Sequence, residues 1–280
     1  MKTKKLWPIV LGAGPEMKVL LFMGALCAFA IERVDAGGME NGFAAISADV
    51  KAQSKDLRKH VAEKAEWAVA AQQDGVRFQD NVPAAIQNQM REDLDFLQTI
   101  QGNGASPLHR EIFGPVDGPS YFRFFESRIK TVGYNEKDHR PDVLASVDIA
   151  EPDTLWLTQL YAKVNVPRIY RLAALLHESR HAEDENFNWP HSDCPDPFKD
   201  EKGDDIRSIV TGVPLAGLPA CDRTAVGSYG IQTIMLKNIE RFCSSCNEST
   251  RKYAGFYGDN FFKRIIDREA KKALQEDLYP

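Results

Sequence analysis

The sequence predicts an α+β protein, mainly helical, on three observations. Residues 44–100 are rich in strong helix formers. Segments between 121 and 160 are short, aromatic and β-branched, and turn residues separate them. An apolar run, Leu172-Ala173-Ala174-Leu175-Leu176, then leads directly into a polar cluster within a stretch poor in breakers. At 280 residues, 43% of them hydrophobic, the chain can bury a sizeable core. A formal net charge of -5 gives no basic field for phosphates, so no nucleic-acid partner is expected.

The chain opens on what reads as an export address. Lys2, Lys4, Lys5 and Lys18 precede an apolar run at 19–30, the basic-then-apolar order of a secretory signal. Small residues permit cleavage after Ala30 or Ala36, so residues 1–36 are expected to be a signal peptide, with Met1 or Met17 as the start. The run is shorter than the ~20 residues that a spanning helix requires, and no permanent membrane anchor is expected. Export to the periplasm or beyond follows. Cleavage would remove Cys27 and leave Cys194, Cys221, Cys243 and Cys246, an even number in an oxidising compartment. Three pairings are open; the expected one joins Cys194 to Cys221 and Cys243 to Cys246.

Residues 37–101 read as a helical region, with helices at about 44–73 and 82–100 forming a hairpin or small bundle. Residues 102–119 hold many Gly, Pro, Asn and Ser residues and read as a linker or loop, with the domain boundary there. Strands are expected at 121–132, 143–149 and 154–160, forming a small antiparallel sheet whose edge at 154–158 would receive a substrate strand. Pro167 is suited to open a helix that continues to Glu185. Further helices are expected at 222–242 and 259–274. The span 120–280 would then be one domain.

The chemistry concentrates in His177-Glu178-Ser179-Arg180-His181. On a helix, His177 and His181 stand one turn apart on one face, as two corners of a tetrahedral zinc site require. Glu178 projects beside that face, where a carboxylate can act as general base toward water polarised by the metal. This helix resembles the active-site helix of the zincin metallopeptidases. The resemblance implies a zincin-like catalytic domain, with a small sheet and an active-site helix, and a Zn2+ cofactor. The metzincin subclass is excluded, because Asp184 and Phe187 stand where its Gly and third His would be.

The third ligand is open on sequence alone. His191 follows the helix after a Pro-containing turn and is the first choice. Asp222, ahead of Gly227-Ser228-Tyr229-Gly230, is the main alternative, as a ligand, a helix cap or an acceptor behind a bound imidazole. Its neighbourhood is similar to the aspzincins, although Val226 occupies the position of that family's usual Asp. Glu240 ranks third. Tyr229 is a candidate hydrogen-bond donor to the oxyanion of a tetrahedral intermediate.

These residues point to an exported zinc peptidase acting on peptide or protein substrates. The alternative is a non-catalytic exported protein, with a structural zinc site or a helical scaffold that binds a partner.

Overall fold

The computed structural model describes residues 76–280 apart from 141–142, 164 and 184–187. The expected signal peptide and the helices proposed at 44–73 lie outside the described residues. The fold is α+β and mainly helical.

Its first elements are strand β1 (Arg77–Phe78) and helix α1 (Ala84–Gln98), which buries Ile86, Met90 and Leu97 at helical spacing. Residues 102–119 are not a loop throughout, because helix α2 (Pro107–Ile112) lies within them and α3 (Gly118–Glu126) begins there. Ser106 caps α2, with Pro107 at the first turn, and the Asp117 carboxylate accepts the Ser120 N–H at 2.7 Å. The residues read as breakers are helix starters. The aromatic cluster Tyr121, Phe122, Phe124 and Phe125 is therefore helical, and strand β2 is confined to Thr131–Tyr134.

Strands β3 (Ala145–Asp148) and β4 (Glu151–Leu157) complete a four-stranded sheet of order β1-β2-β4-β3. This sheet is mixed rather than antiparallel, since β1–β2 and β2–β4 run parallel and only β3–β4 is antiparallel. Helices α1, α2 and α3 lie between β1 and β2 in the chain, and such crossovers are what parallel pairing needs. Gly133 faces Trp156 across the β2–β4 pair, and a Cβ there would meet the indole ring at 2.5 Å. The exposed edge beyond β4 is β3. The 154–158 segment is an interior strand, which corrects the expectation of an edge there.

Helix α4 (Arg168–His181) carries the polar motif, with Pro167 at its N-cap. Behind it, Arg171 makes a fork-shaped pair with buried Asp93 of α1, at 2.6 and 2.7 Å, and Tyr161 donates to the same carboxylate at 2.9 Å. Two short strands, β5 (Ser192–Asp193) and β6 (Pro219–Cys221), pair antiparallel and close the excursion that follows. The excursion has its own small core of Cys194, Phe198, Ile206, Leu215 and Cys221. Both expected disulfides are present, Cys194–Cys221 and Cys243–Cys246.

Helix α5 spans Ser228–Phe242, shorter than the expected 222–242, because Gly227 is its N-cap and Asp222 is engaged in a bridge with Ile265. The expected 259–274 helix is two helices, α6 (Glu248–Phe262) and α7 (Arg268–Leu278). Buried Ile265 separates them and Asp267 caps the second. One hydrophobic cluster, from Val82 to Leu278, joins α1, the sheet, α4 and α5.

Candidate metal centre

One stripe of α4, running Tyr170, Ala174, His177, Glu178 and His181, lines a cleft of about 390 Å³. That spacing keeps five side chains on one helix face. The same helix buries Leu172, Leu175 and Leu176 on its other sides, so the cleft face is held from behind.

The β5–β6 pair brings the third imidazole in. Ser192 is opposite Cys221, so His191 and Asp222, the next residues outward, lie side by side. The Cys194–Cys221 disulfide pins the same ends. Asn188 and Trp189 adopt positive φ values of 62° and 52° in the approach to His191. This bend is held by the Asn188 side chain donating to the His181 carbonyl at 3.1 Å and the Trp189 indole donating to Glu183 at 2.9 Å. Arg180 lies over the Trp189 ring and pairs with Glu183 at 2.6 Å.

His177, His181 and His191 thereby form a triad positioned to hold a metal ion. Their Nε2 atoms stand 3.1, 3.2 and 3.2 Å from one another. Metal–nitrogen bonds of about 2.0–2.1 Å at tetrahedral angles would set donors about 3.3 Å apart, close to this triangle. Each Nδ1 has its own acceptor: Gln232 Oε1 at 3.0 Å for His177, the Asn188 carbonyl at 2.9 Å for His181, and Asp222 Oδ1 at 2.9 Å for His191. A backbone carbonyl and a carboxylate can only accept, so Nδ1 carries the proton and the Nε2 lone pairs converge. Burial, reinforced by the neighbouring imidazoles, holds the His177 pKa well below its ordinary value and brings that of His181 down to about 4. These are neutral imidazoles, the form that ligates metals.

Asp222 stands behind the triad rather than in it. Besides His191, it accepts the Tyr229 N–H at 2.7 Å and the Gly230 N–H at 3.4 Å through Oδ2, so both its oxygens are engaged. Glu240, farther along α5, is paired with Lys237 and is not brought to the triad.

Glu178 lies beside the triangle, its Oε1 4.0 Å from His177 Nε2, with 13% of its side chain exposed. Burial pushes its pKa up to about 8, against the opposing pull of the Val147 N–H and the Arg140 charge. A divalent cation nearby would add a further downward pull. The Tyr229 ring stacks on His191 at 4.6 Å between centroids and meets His177 edge-on at 4.7 Å. Its hydroxyl accepts from Arg264 Nη1 at 2.7 Å.

Comparison with protein-family models, with curated proteins and with solved structures finds no match. The site stands on its own geometry.

Gln232 and Arg264 are in the site without having been singled out in the sequence. Gln232 lies three residues after Tyr229, on the same face of α5, and that spacing was the available signal. Arg264 carries no local signal, because a bridge between segments remote in sequence delivers it.

Proposed function

We propose that the protein is an exported zinc-dependent peptidase. One observation carries the reading: three imidazoles present their Nε2 atoms at tetrahedral spacing beside a largely buried carboxylate, in the lining of a cleft. His177, His181 and His191 would hold the ion. Zinc, when bound, supplies Lewis-acid polarisation of a carbonyl and acidifies water.

The chain's own groups do the rest. Glu178 is placed to accept the proton of the attacking water and to return it to the leaving amine. Tyr229 accepts from Arg264, which leaves its own proton available for the developing oxyanion. Residues Ala145, Ser146 and Val147 of edge strand β3 line the cleft, and β3 offers a substrate strand an edge to pair with. The Thr158 N–H bonds to the Leu144 carbonyl, so ladder bonds fall at even positions of this strand. The backbone groups of Ala145 and Val147 therefore face away from β4.

The alternative of a closed, structural zinc site finds less support. The cluster offers three donors among the described residues, and Asp222 is already engaged by His191 and Tyr229. Two disulfides fit an oxidising compartment, and no described helix is long and apolar enough to cross a membrane. Metal analysis of the purified protein, paired with hydrolysis of a mixed peptide library, tests the proposal. About one zinc per chain with cleavage is expected; a metal-free protein with no cleavage contradicts it.

A further inference from the structure

Arg264 enters the cleft from the turn after α6. The Asp222 N–H donates to the Arg264 carbonyl and the Ile266 N–H to the Asp222 carbonyl, both at 2.9 Å. This fixes the arginine beside the residue that holds His191. Arg264 is only 6% exposed and lines the same cleft as the histidine triad. Its partners are neutral: Nη1 donates to the Tyr229 hydroxyl, and the guanidinium lies 4.6 Å from the Tyr229 ring centroid and 5.6 Å from that of Phe261.

What it lacks is a counter-ion. Among the described residues Arg264 is in no ion pair, and its Nε is buried without a hydrogen-bond partner. An arginine keeps its charge at any ordinary pH, so a full positive charge is buried without an ion-pair partner, which is unfavourable until an anion supplies the pairing. The same fold pairs its other arginines of this neighbourhood with carboxylates. Arg171, equally buried, is fork-bonded to Asp93, and Arg140 at the cleft is bonded to Asp138. Of the cleft's acidic side chains only Glu178 lines it, and that group is assigned to proton transfer.

We propose that Arg264 is the receptor for a substrate carboxylate, so that the cleft selects peptides presenting a carboxylate near the scissile bond. The inference rests on the peptidase reading above. The planar fork of a guanidinium matches a carboxylate, and Tyr229 already fixes one arm of it. The carboxylate could be the peptide's free C-terminus or an acidic side chain, and the chemistry is the same.

Binding is measured by calorimetry on the zinc-loaded Glu178→Gln protein, with three N-acetylated peptides of one sequence. One ends in a free acid, one in an amide, and one in an amide with an internal Glu. One of the two carboxylate peptides is expected to bind at least about tenfold more tightly than the plain amide, which identifies the source. Arg264→Gln should remove that difference, and Arg264→Lys, which keeps the charge but not the fork, should retain part of it. Equal binding of all three peptides, no binding of any, or a preference that survives Arg264→Gln overturns the proposal. Should Arg264→Gln fail to fold, Arg264→Lys decides, since an undiminished preference there overturns it as well. Failure of the peptidase reading shows separately, as a wild-type protein that binds carboxylate peptides through Arg264 without cleaving them.

Discussion

The Asp222 carboxylate holds His191 by its outer nitrogen, with Oδ1 2.9 Å from Nδ1, while its other oxygen takes the N–H of Tyr229 at 2.7 Å. One side chain thus orients an imidazole of the triad and satisfies the start of α5, which has no side-chain cap of its own. Asp222→Ala should therefore weaken metal affinity about 10–100-fold and lower stability by about 1 kcal/mol. Chelator competition and thermal melting read the two effects. A variant that binds no metal at all would make Asp222 a ligand.

Gly227 permits this arrangement. A Cβ there would stand 2.6 Å from Asp222 Oδ2 and 3.0 Å from its Cγ, so the carboxylate would have to shift. Gly227→Ala is expected to cost about 1–3 kcal/mol and to weaken metal binding through His191. Chemical denaturation and metal titration check it, and an unchanged metal affinity would separate Gly227 from the site.

The Cys194–Cys221 disulfide closes the excursion that sets His191 against Asp222. Its reduction should cost about 2–4 kcal/mol and loosen the metal site at the same time. Melting curves with and without reductant, run beside zinc retention, test this. Zinc affinity indifferent to reductant would mean that the β5–β6 pair suffices.

Behind α4, Asp93 is fully buried and bonded to Arg171 and Tyr161, with Arg168 3.3 Å away. Asp93→Ala leaves the Arg171 guanidinium buried without its partner and should destabilise by about 3–5 kcal/mol. Urea unfolding measures it; a loss below about 1 kcal/mol would mean that water or a shifted side chain replaces the carboxylate.

What was legible in the sequence follows from how local each signal is. The helix carrying His177 and His181, the third imidazole His191 and both cysteine pairs could be read, because ligand spacing and cysteine parity survive without the fold. The segment 102–119 reads as a loop but holds helix, because Ser106-Pro107 and Asp117-Gly118-Pro119 signal both loops and helix starts, and here the caps decide. The phenylalanines at 122, 124 and 125 have β propensity, but Asp117 starts a helix whose face they bury. Asp222 reads from the sequence as a ligand, a cap or an acceptor behind an imidazole, and only the fold selects among these; Arg264 is beyond sequence reasoning. Their positions depend on a bridge between residues 222 and 265, whose partners lie on either side of two helices.

The most direct test of the account is Glu178→Gln, assayed for zinc content and peptide hydrolysis together. Gln keeps the size of the side chain and its reach beside His177 but cannot take a proton, and general-base catalysis contributes about 10²–10⁴-fold. Wild type and variant alike should hold about one zinc per chain, and the variant should lose hydrolysis by that factor. A Glu178→Gln protein that cleaves peptides as fast as the wild type, with the metal still bound, would contradict the account.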